Sequence, residues 1–380
     1  MTKPLVDRRS VIAETRPYSR IAVIGAGAWG TALATVARRA GRDVTLWGRD
    51  PAVLRSITEN RQNVRYLPGI DLPEGITATS DMAVALSGAD AVMLVTPSRT
   101  IREMSRTVGR HLAPGTPVAL CAKGIEAGTG RLLADAAAEE MPGHPIGAIS
   151  GPTFAHETAM AYPTAVTVAF DFTHEDRISP SESTAARFAL SLSSETFRPY
   201  ISDDLTGVEI GGAVKNVIAI ACGMMTGAGF AENTRAALIA RGMDEMKTLA
   251  EALGGRRETV TGLSGAGDLT LTCSSRTSRN MSLGIQLGEG IARDACFGGK
   301  PVVVEGEINA ISVMDLAHRM GIAMPICDAV HRVLHQGADL DTTFAQLWSR
   351  PIMAEPKALD ITIEHPVMPA PVGGLAETAA

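Results

Sequence analysis

Residues Ile21-Ala22-Val23-Ile24-Gly25-Ala26-Gly27-Ala28-Trp29-Gly30 decide the fold. A short apolar run enters Gly25-x-Gly27-x-x-Gly30. A helical pattern follows from Trp29 to Ala40, then a second apolar run from Asp43 to Trp47. Strand, glycine turn, helix and strand form the context in which this glycine pattern binds a dinucleotide. Gly25 is expected to permit the tight turn, Gly27 to let a pyrophosphate approach the backbone, and Gly30 to let the helix pack on the strand. The free N–H groups and dipole at the helix start then face the phosphates. No Lys-Ser/Thr follows the glycines, which excludes a P-loop NTPase. The Gly-Ala-Gly triplets at Gly227 and Gly265 follow no apolar strand and are not read as dinucleotide loops.

Outward from this segment, apolar runs at 21–25, 44–48, 91–96, 117–122, 146–150 and 164–169 alternate with helical patterns. That is the signature of a doubly wound, mostly parallel sheet. Beyond Asp203 the strand signals fade. Helical runs are expected over 203–226 and 232–253, with shorter helices to Trp348. The expected fold is a Rossmann-like doubly wound α/β N-terminal domain followed by an all-α C-terminal domain. The expected limits are a flexible extension over 1–19, the dinucleotide domain over 20–203, the helical domain over 204–350 and a loose Pro/Ala-rich tail over 351–380. No repeat of fixed period is present.

A chain of 380 residues suits about two domains. Hydrophobic residues make up 45% and charged residues 20%, an ordinary globular balance. A net charge of -6 gives no electrostatic case for nucleic acid, so an anionic ligand must be held by local cations. Five scattered cysteines without CxxC spacing read as reduced cytosolic thiols, with no disulfide framework and no zinc site. The first twenty residues hold four arginines and no apolar core, so they are not read as a signal peptide. The longest uncharged apolar stretch after Lys215, Val217 to Phe230, is too short to span a bilayer and reads as a buried helix.

Three clusters carry candidate chemistry. Lys215 and Asn216 stand inside an apolar helical run, where burying an ammonium costs several kcal/mol unless it is paired. A lysine so placed suits general acid–base work; the plainer reading is a surface lysine on an amphipathic face. The segment Gly262 to Asn280 combines a flexible glycine run with Asp268, Thr272, Ser278, Arg279 and Asn280, just before a helix. Its arginine fork and helix start suit a phosphate; the plainer reading is a capped loop. Lys123 follows a strand and faces either the crevice or solvent. Other patterns fail. His331 and His335 have helical spacing but no H-E-x-x-H context, and Gly262-x-Ser264-Gly265 is one residue short of a nucleophile elbow.

Together these segments resemble the bacterial-type NAD(P)-dependent glycerol-3-phosphate dehydrogenases over about residues 20–350. The resemblance rests on Gly25-Ala-Gly-Ala-Trp-Gly-Thr, Tyr66-Leu-Pro-Gly, Cys121-Ala-Lys-Gly-Ile-Glu and Ser150-Gly-Pro-Thr-Phe-Ala. It continues in Gly211-Gly-Ala-Val-Lys-Asn, Gly265-Ala-Gly-Asp, Ser278-Arg-Asn and Val303-Val-Glu-Gly. It implies reduction of dihydroxyacetone phosphate to sn-glycerol 3-phosphate for glycerophospholipid synthesis, without a metal. It implies Lys215 as acid/base, assisted by Lys123 and Asp268. The implied substrate pocket is Lys123, Gly151, Thr153, Lys215, Asn216, Asp268, Thr272, Ser278, Arg279 and Asn280. The implied cofactor contacts are the loop glycines Gly25, Gly27 and Gly30 with Ala28, Trp29, Arg49, Lys123, Gly151, Ala155, Arg279, Val303 and Glu305.

The second strand ends Trp47-Gly48-Arg49-Asp50. An arginine there accommodates a 2′-phosphate, whereas an acidic residue takes a 2′-hydroxyl. NADP(H) is therefore expected to be preferred and NAD(H) usable. A cytoplasmic homodimer is expected. The competing readings are another two-domain dehydrogenase of the hydroxyacid or ketopantoate type, and a non-catalytic dinucleotide-binding redox sensor.

Overall fold

A computed structural model describes residues 15–355 and 361–366. Eight strands form one sheet: β1 (Arg20–Ile24), β2 (Asp43–Trp47), β3 (Ile76–Thr79), β4 (Ala91–Leu94), β5 (Val118–Leu120), β6 (Ile146–Ser150), β7 (Thr164–Phe170) and β8 (Phe197–Ser202). Their spatial order is 8-7-6-5-4-1-2-3. The pairs are parallel except β6 with β7. The order reverses between β1 and β4, and in such sheets that crevice at the carboxyl ends receives the ligand.

Strand alternation divides the apolar side chains of β1. Ile21 and Val23 face the core on one side of the sheet, Ala22 and Ile24 the core on the other. β4 and β5 are buried throughout, as fits strands covered by helices on both faces. The helix after β1, Ala28–Arg39, buries every residue from Gly30 to Ala37 and ends with Arg38 and Arg39, which suit the negative end of its dipole.

A third core surrounds the helix Leu205–Gly227, in which every residue from Gly207 to Met225 is buried. It is long and apolar enough to cross a membrane, but 94% of its apolar window is buried inside the protein, so it is the axis of the helical region. Helices Glu232–Ala252, Asp268–Ser274, Arg279–Gly288, Glu305–Met320 and Pro325–His335 pack around it. Close approach to Arg279–Gly288 depends on facing glycines. A Cβ on Gly284 would stand 2.8 Å from the Gly223 Cα. The same axial helix meets the sheet through buried Glu209, whose Oε1 accepts from the Ala134 N–H at 2.9 Å and so caps the helix Leu133–Glu140. Burial pushes that carboxyl up to about 8.

The six expected strands are present. Two further strands, β3 and β8, are edge strands that the apolar pattern does not mark. β3 is half-exposed, and β8 contains Arg198 and Pro199, which an edge tolerates because one side of its backbone needs no partner. On the flanks, the described residues show local order at two points. The extension is expected to be flexible over 1–19, yet Tyr18 is buried, its N–H donates to Ser191 Oγ at 2.7 Å and its ring lies 5.6 Å from Phe188. The tail is expected to be loose, yet Ile352–Met353 pairs antiparallel with Thr362–Ile363. The rest of both expectations, on residues 1–14, 356–360 and 367–380, lies outside the described residues. The glycine segment Leu263–Gly267, expected to be flexible, is a single π-helical turn with Ser264 and Gly265 buried against the axial helix. Such turns occur often at functional sites.

Candidate active site

The glycine turn sits at the carboxyl end of β1. Gly25 has φ +129°, and a Cβ there would lie 2.5 Å from the Val95 carbonyl oxygen. Only glycine fits both demands. A Cβ on Gly30 would overlap the Gly25 carbonyl oxygen, so Gly30 sets the close contact of helix and turn. At Gly27 a Cβ would meet nothing within 4 Å: this glycine keeps open the space in front of the helix. Gly27 is also the N-cap, with no side chain capping the helix and no acidic residue in its first turn. The unpaired N–H groups therefore face that space, and an anion fits them. The cavity holds about 500 Å³ and extends from Gly25 and Gly27 past Trp29 and Glu305 to Arg49, Asp50 and Tyr66. Its length, glycine floor and uncapped helix start suit a dinucleotide.

A second cavity of about 210 Å³ opens beside it, and the two share Trp29, Cys121 and Glu305 as lining. Lys123, Thr153, Ala155, Lys215, Asn216, Thr272, Ser278, Arg279 and Asn280 line the second cavity. Most of the candidate substrate residues thus converge from four separate stretches of chain.

Asp268 lies behind this wall, 1% exposed, and does not line either cavity. Its Oδ1 accepts from Lys215 Nζ at 2.6 Å and its Oδ2 from Lys123 Nζ at 2.6 Å. Lys215 also donates to Thr272 Oγ1 at 2.8 Å, while the Thr272 hydroxyl donates to the Asp268 carbonyl at 2.6 Å. Lys123 donates a second bond to the Gly151 carbonyl at 3.3 Å. An ammonium has three N–H donors. Each lysine spends two inside the protein and keeps one for the cavity. Burial, with Lys123 adding to it, holds the Lys215 ammonium below the ordinary lysine range; Asp268 opposes the shift. Gly212 leaves room for this arrangement, since a Cβ there would stand 3.1 Å from Lys123 Cγ.

Across the cavity, Ser278 caps the helix Arg279–Gly288 by accepting from the Met281 N–H at 3.3 Å. Arg279 is exposed at the cavity edge and has no ion pair among the described residues. Asn280 donates to Asn216 Oδ1 at 2.8 Å and accepts from the Gly306 N–H at 2.9 Å, and Asn216 donates to Glu305 Oε2 at 3.4 Å. This chain ties three helices together around the junction of the two cavities. Thr153 donates to the Gly151 carbonyl at 3.3 Å.

Besides Asp268 and Gly30, three expected residues line neither cavity. Gly151 contributes its carbonyl to Lys123 and does not line a cavity, and Ala28 sits in the first turn of the glycine-turn helix. Val303 is 46% exposed and outside both linings. Sequence reading missed Asn309, which is buried and donates to the Ala213 carbonyl at 3.2 Å and, at 3.5 Å, to that of Lys123. It joins the Lys123 loop to the axial helix, and no local signal marks it. Among the described residues no group of three or more metal-ligating side chains converges, and all five cysteines are free and buried.

Arg279 supplies a direct test of the anion end. Arg279→Lys keeps the charge and loses the planar fork. Binding of a phosphorylated substrate should weaken by roughly 2 kcal/mol, about 30-fold in KM, the scale of a charged hydrogen bond. An unmoved substrate KM in steady-state assays would place the phosphate elsewhere.

Residues 20–175 match the model of the NAD-dependent glycerol-3-phosphate dehydrogenase N-terminus, and residues 204–345 that of its C-terminus. The chain is 48% identical over 336 residues to the glycerol-3-phosphate dehydrogenase [NAD(P)+] of Rhodospirillum rubrum, covering 88% of this chain and 93% of that one. It is 45% identical over 338 residues to the enzyme of the same name from Caulobacter vibrioides, covering 89% and 99%. The crystal structure of glycerol-3-phosphate dehydrogenase from Coxiella burnetii superposes with a TM-score of 0.79 at 37% identity, covering 88% of this chain and 99% of that one. With both halves of the fold matched in order, the chain belongs to the NAD-dependent glycerol-3-phosphate dehydrogenase family.

Proposed function

We propose that this protein reduces dihydroxyacetone phosphate to sn-glycerol 3-phosphate with NAD(P)H, reversibly, as a supplier of glycerophospholipid synthesis. One observation carries the reading: Lys215 and Lys123 share buried Asp268 at the wall of a cavity that adjoins the dinucleotide cavity, with Arg279 on its other side. Reduced nicotinamide, when bound, supplies the hydride that reaches the C2 carbonyl carbon. The third N–H of Lys215 then meets the C2 oxygen as negative charge develops there, and the proton passes to that oxygen. Lys123 holds the substrate from the other side of Asp268. Asp268 aligns both ammonium groups and keeps their charge tolerable in a buried wall. Arg279 and the helix start hold the phosphate. Trp29, Cys121 and Glu305 line both cavities, where the nicotinamide would meet the substrate.

The assay follows the reduced-nicotinamide absorbance band with dihydroxyacetone phosphate and with dihydroxyacetone. Turnover of the phosphorylated ketone, with kcat/KM lower by about 10² or more for its parent, is expected from loss of the charged contacts. Equal turnover of both would contradict the phosphate assignment. A ketopantoate-type reductase has no use for Arg279 at a capped helix start, and a redox sensor has none for a lysine–carboxylate–lysine wall.

NADP(H) is the preferred cofactor in this reading, because Arg49 lines the end of the cavity beyond the glycine turn. Arg49→Ala should raise KM for NADPH by about tenfold, one charged hydrogen bond, and leave that for NADH nearly unchanged. Equal effects on both would refute the assignment. Two segments, at 20–203 and 204–350, serve as dinucleotide and catalytic domains. A cytoplasmic setting fits five reduced thiols, and a homodimer is the expected assembly.

A further inference from the structure

The strand β2 is followed by Arg49 and Asp50, side by side on the cofactor cavity. An aspartate at this place takes a ribose 2′-hydroxyl and repels a 2′-phosphate, which carries nearly two negative charges. Asp50 is not free, however. Its Oδ1 accepts from the Ala52 N–H at 2.9 Å and starts the helix Pro51–Asn60. Its Oδ2 is ion-paired with Arg65, which the chain returns to this point after the helix. The Arg65 guanidinium also lies 5.2 Å from the centre of the Tyr66 ring, and Tyr66 lines the same end of the cavity. The Ala52 N–H and Arg65 hold the Asp50 carboxyl below the usual carboxylate range, so it is charged at neutral pH and needs cancelling. Arg49 and Arg65 around one carboxylate leave a net positive charge where the ribose end of a dinucleotide lies.

We propose that Arg65 is a specificity-determining residue for the cofactor: by ion-pairing Asp50 it cancels the carboxylate beside Arg49 that would repel a 2′-phosphate, and so admits NADP(H) there. This rests on the reading that Arg49 faces the 2′-phosphate. Arg65 acts through Asp50 and is a positioning residue. A purely structural role, as a brace for Tyr66 or for the loop, would move both cofactors alike.

The test is a fluorescence titration of NADPH and NADH against the full-length protein and its variants, with thermal melts to check folding. Arg65→Gln should raise Kd for NADPH by about tenfold, the scale of one charged contact, and move that for NADH by no more than about twofold. Arg65→Lys should keep most of the NADPH affinity, because the charge remains. Asp50→Asn still accepts from the Ala52 N–H, so the helix cap survives. In the double variant Asp50→Asn/Arg65→Gln no charge is left to cancel, and Kd for NADPH should return to within about threefold of the parent value, a double-mutant coupling. Equal weakening of both cofactors in Arg65→Gln, or a double variant as weak for NADPH as Arg65→Gln alone, overturns the inference. Arg49→Ala separates the two levels. A loss selective for NADPH there, without one in Arg65→Gln, removes the role of Arg65 alone; no selective loss in Arg49→Ala removes the reading beneath it.

Discussion

Lys215→Met is expected to fold, to bind NADPH like the parent, and to lose kcat by at least about three orders of magnitude, some 4 kcal/mol of transition-state stabilisation. Methionine matches the apolar stem in a site where Lys215 is 6% exposed, and Asp268 keeps Lys123 as partner, so no buried charge is orphaned. What disappears is the third N–H, with both the proton and the positive charge beside the developing alkoxide. A general acid contributes about 10²–10⁴-fold, and electrostatic stabilisation adds to it. Retention of more than about a tenth of the parent kcat would require another proton source.

Asp268→Asn should be the more damaging change to the fold. The amide replaces a carboxylate that is 1% exposed and leaves two ammonium groups without their shared counter-charge. Breaking a buried pair in this way costs about 3–5 kcal/mol. Part of that cost is relieved if Lys215 gives up its proton, which defines a pH signature. Its folded pKa already lies below the usual range and falls further without Asp268, whereas the unfolded chain keeps the ordinary value. The unfolded state then binds more protons, so stability rises with pH between the two values. The melting deficit of the variant should shrink as pH rises toward the ordinary lysine range. Its turnover should fall by about 10² or more, because the carboxylate that aligns Lys215 and favours its protonated form is gone. A deficit that grows with pH would show that Asp268 does not hold these ammonium groups.

The parts of the fold written as local pattern were legible in the sequence. The glycine turn, the six central strands and the long helices each follow from periodicity and glycine placement. The edge strands were not legible, because Ile76–Thr79 and Phe197–Ser202 bury too little to carry an apolar signature. The reversal of β7 against β6 depends on the path of the loop between them, which no residue type specifies. The same division holds at the site. Lys215 is conspicuous as a charge inside an apolar helix, and Arg279 as a fork at a helix start. The sharing of Asp268 is a tertiary fact: Lys123 lies 145 positions away along the chain. Asn309 is hidden for the same reason. Arg65 resembles any surface arginine until the hairpin Gln62–Asn63 with Leu67–Asp71 brings it to Asp50.

The most direct test of Lys215 as the proton donor is the pH profile of kcat/KM for the parent protein in both directions. Reduction of dihydroxyacetone phosphate needs the ammonium, so its rate should fall as pH rises through the Lys215 pKa. Oxidation of sn-glycerol 3-phosphate needs the free amine, so its rate should rise through the same midpoint. That midpoint should lie below the ordinary lysine range, in keeping with the burial of Lys215, and the limb should vanish in Lys215→Met. Parallel profiles in the two directions, or an alkaline limb that survives in Lys215→Met, would contradict the assignment.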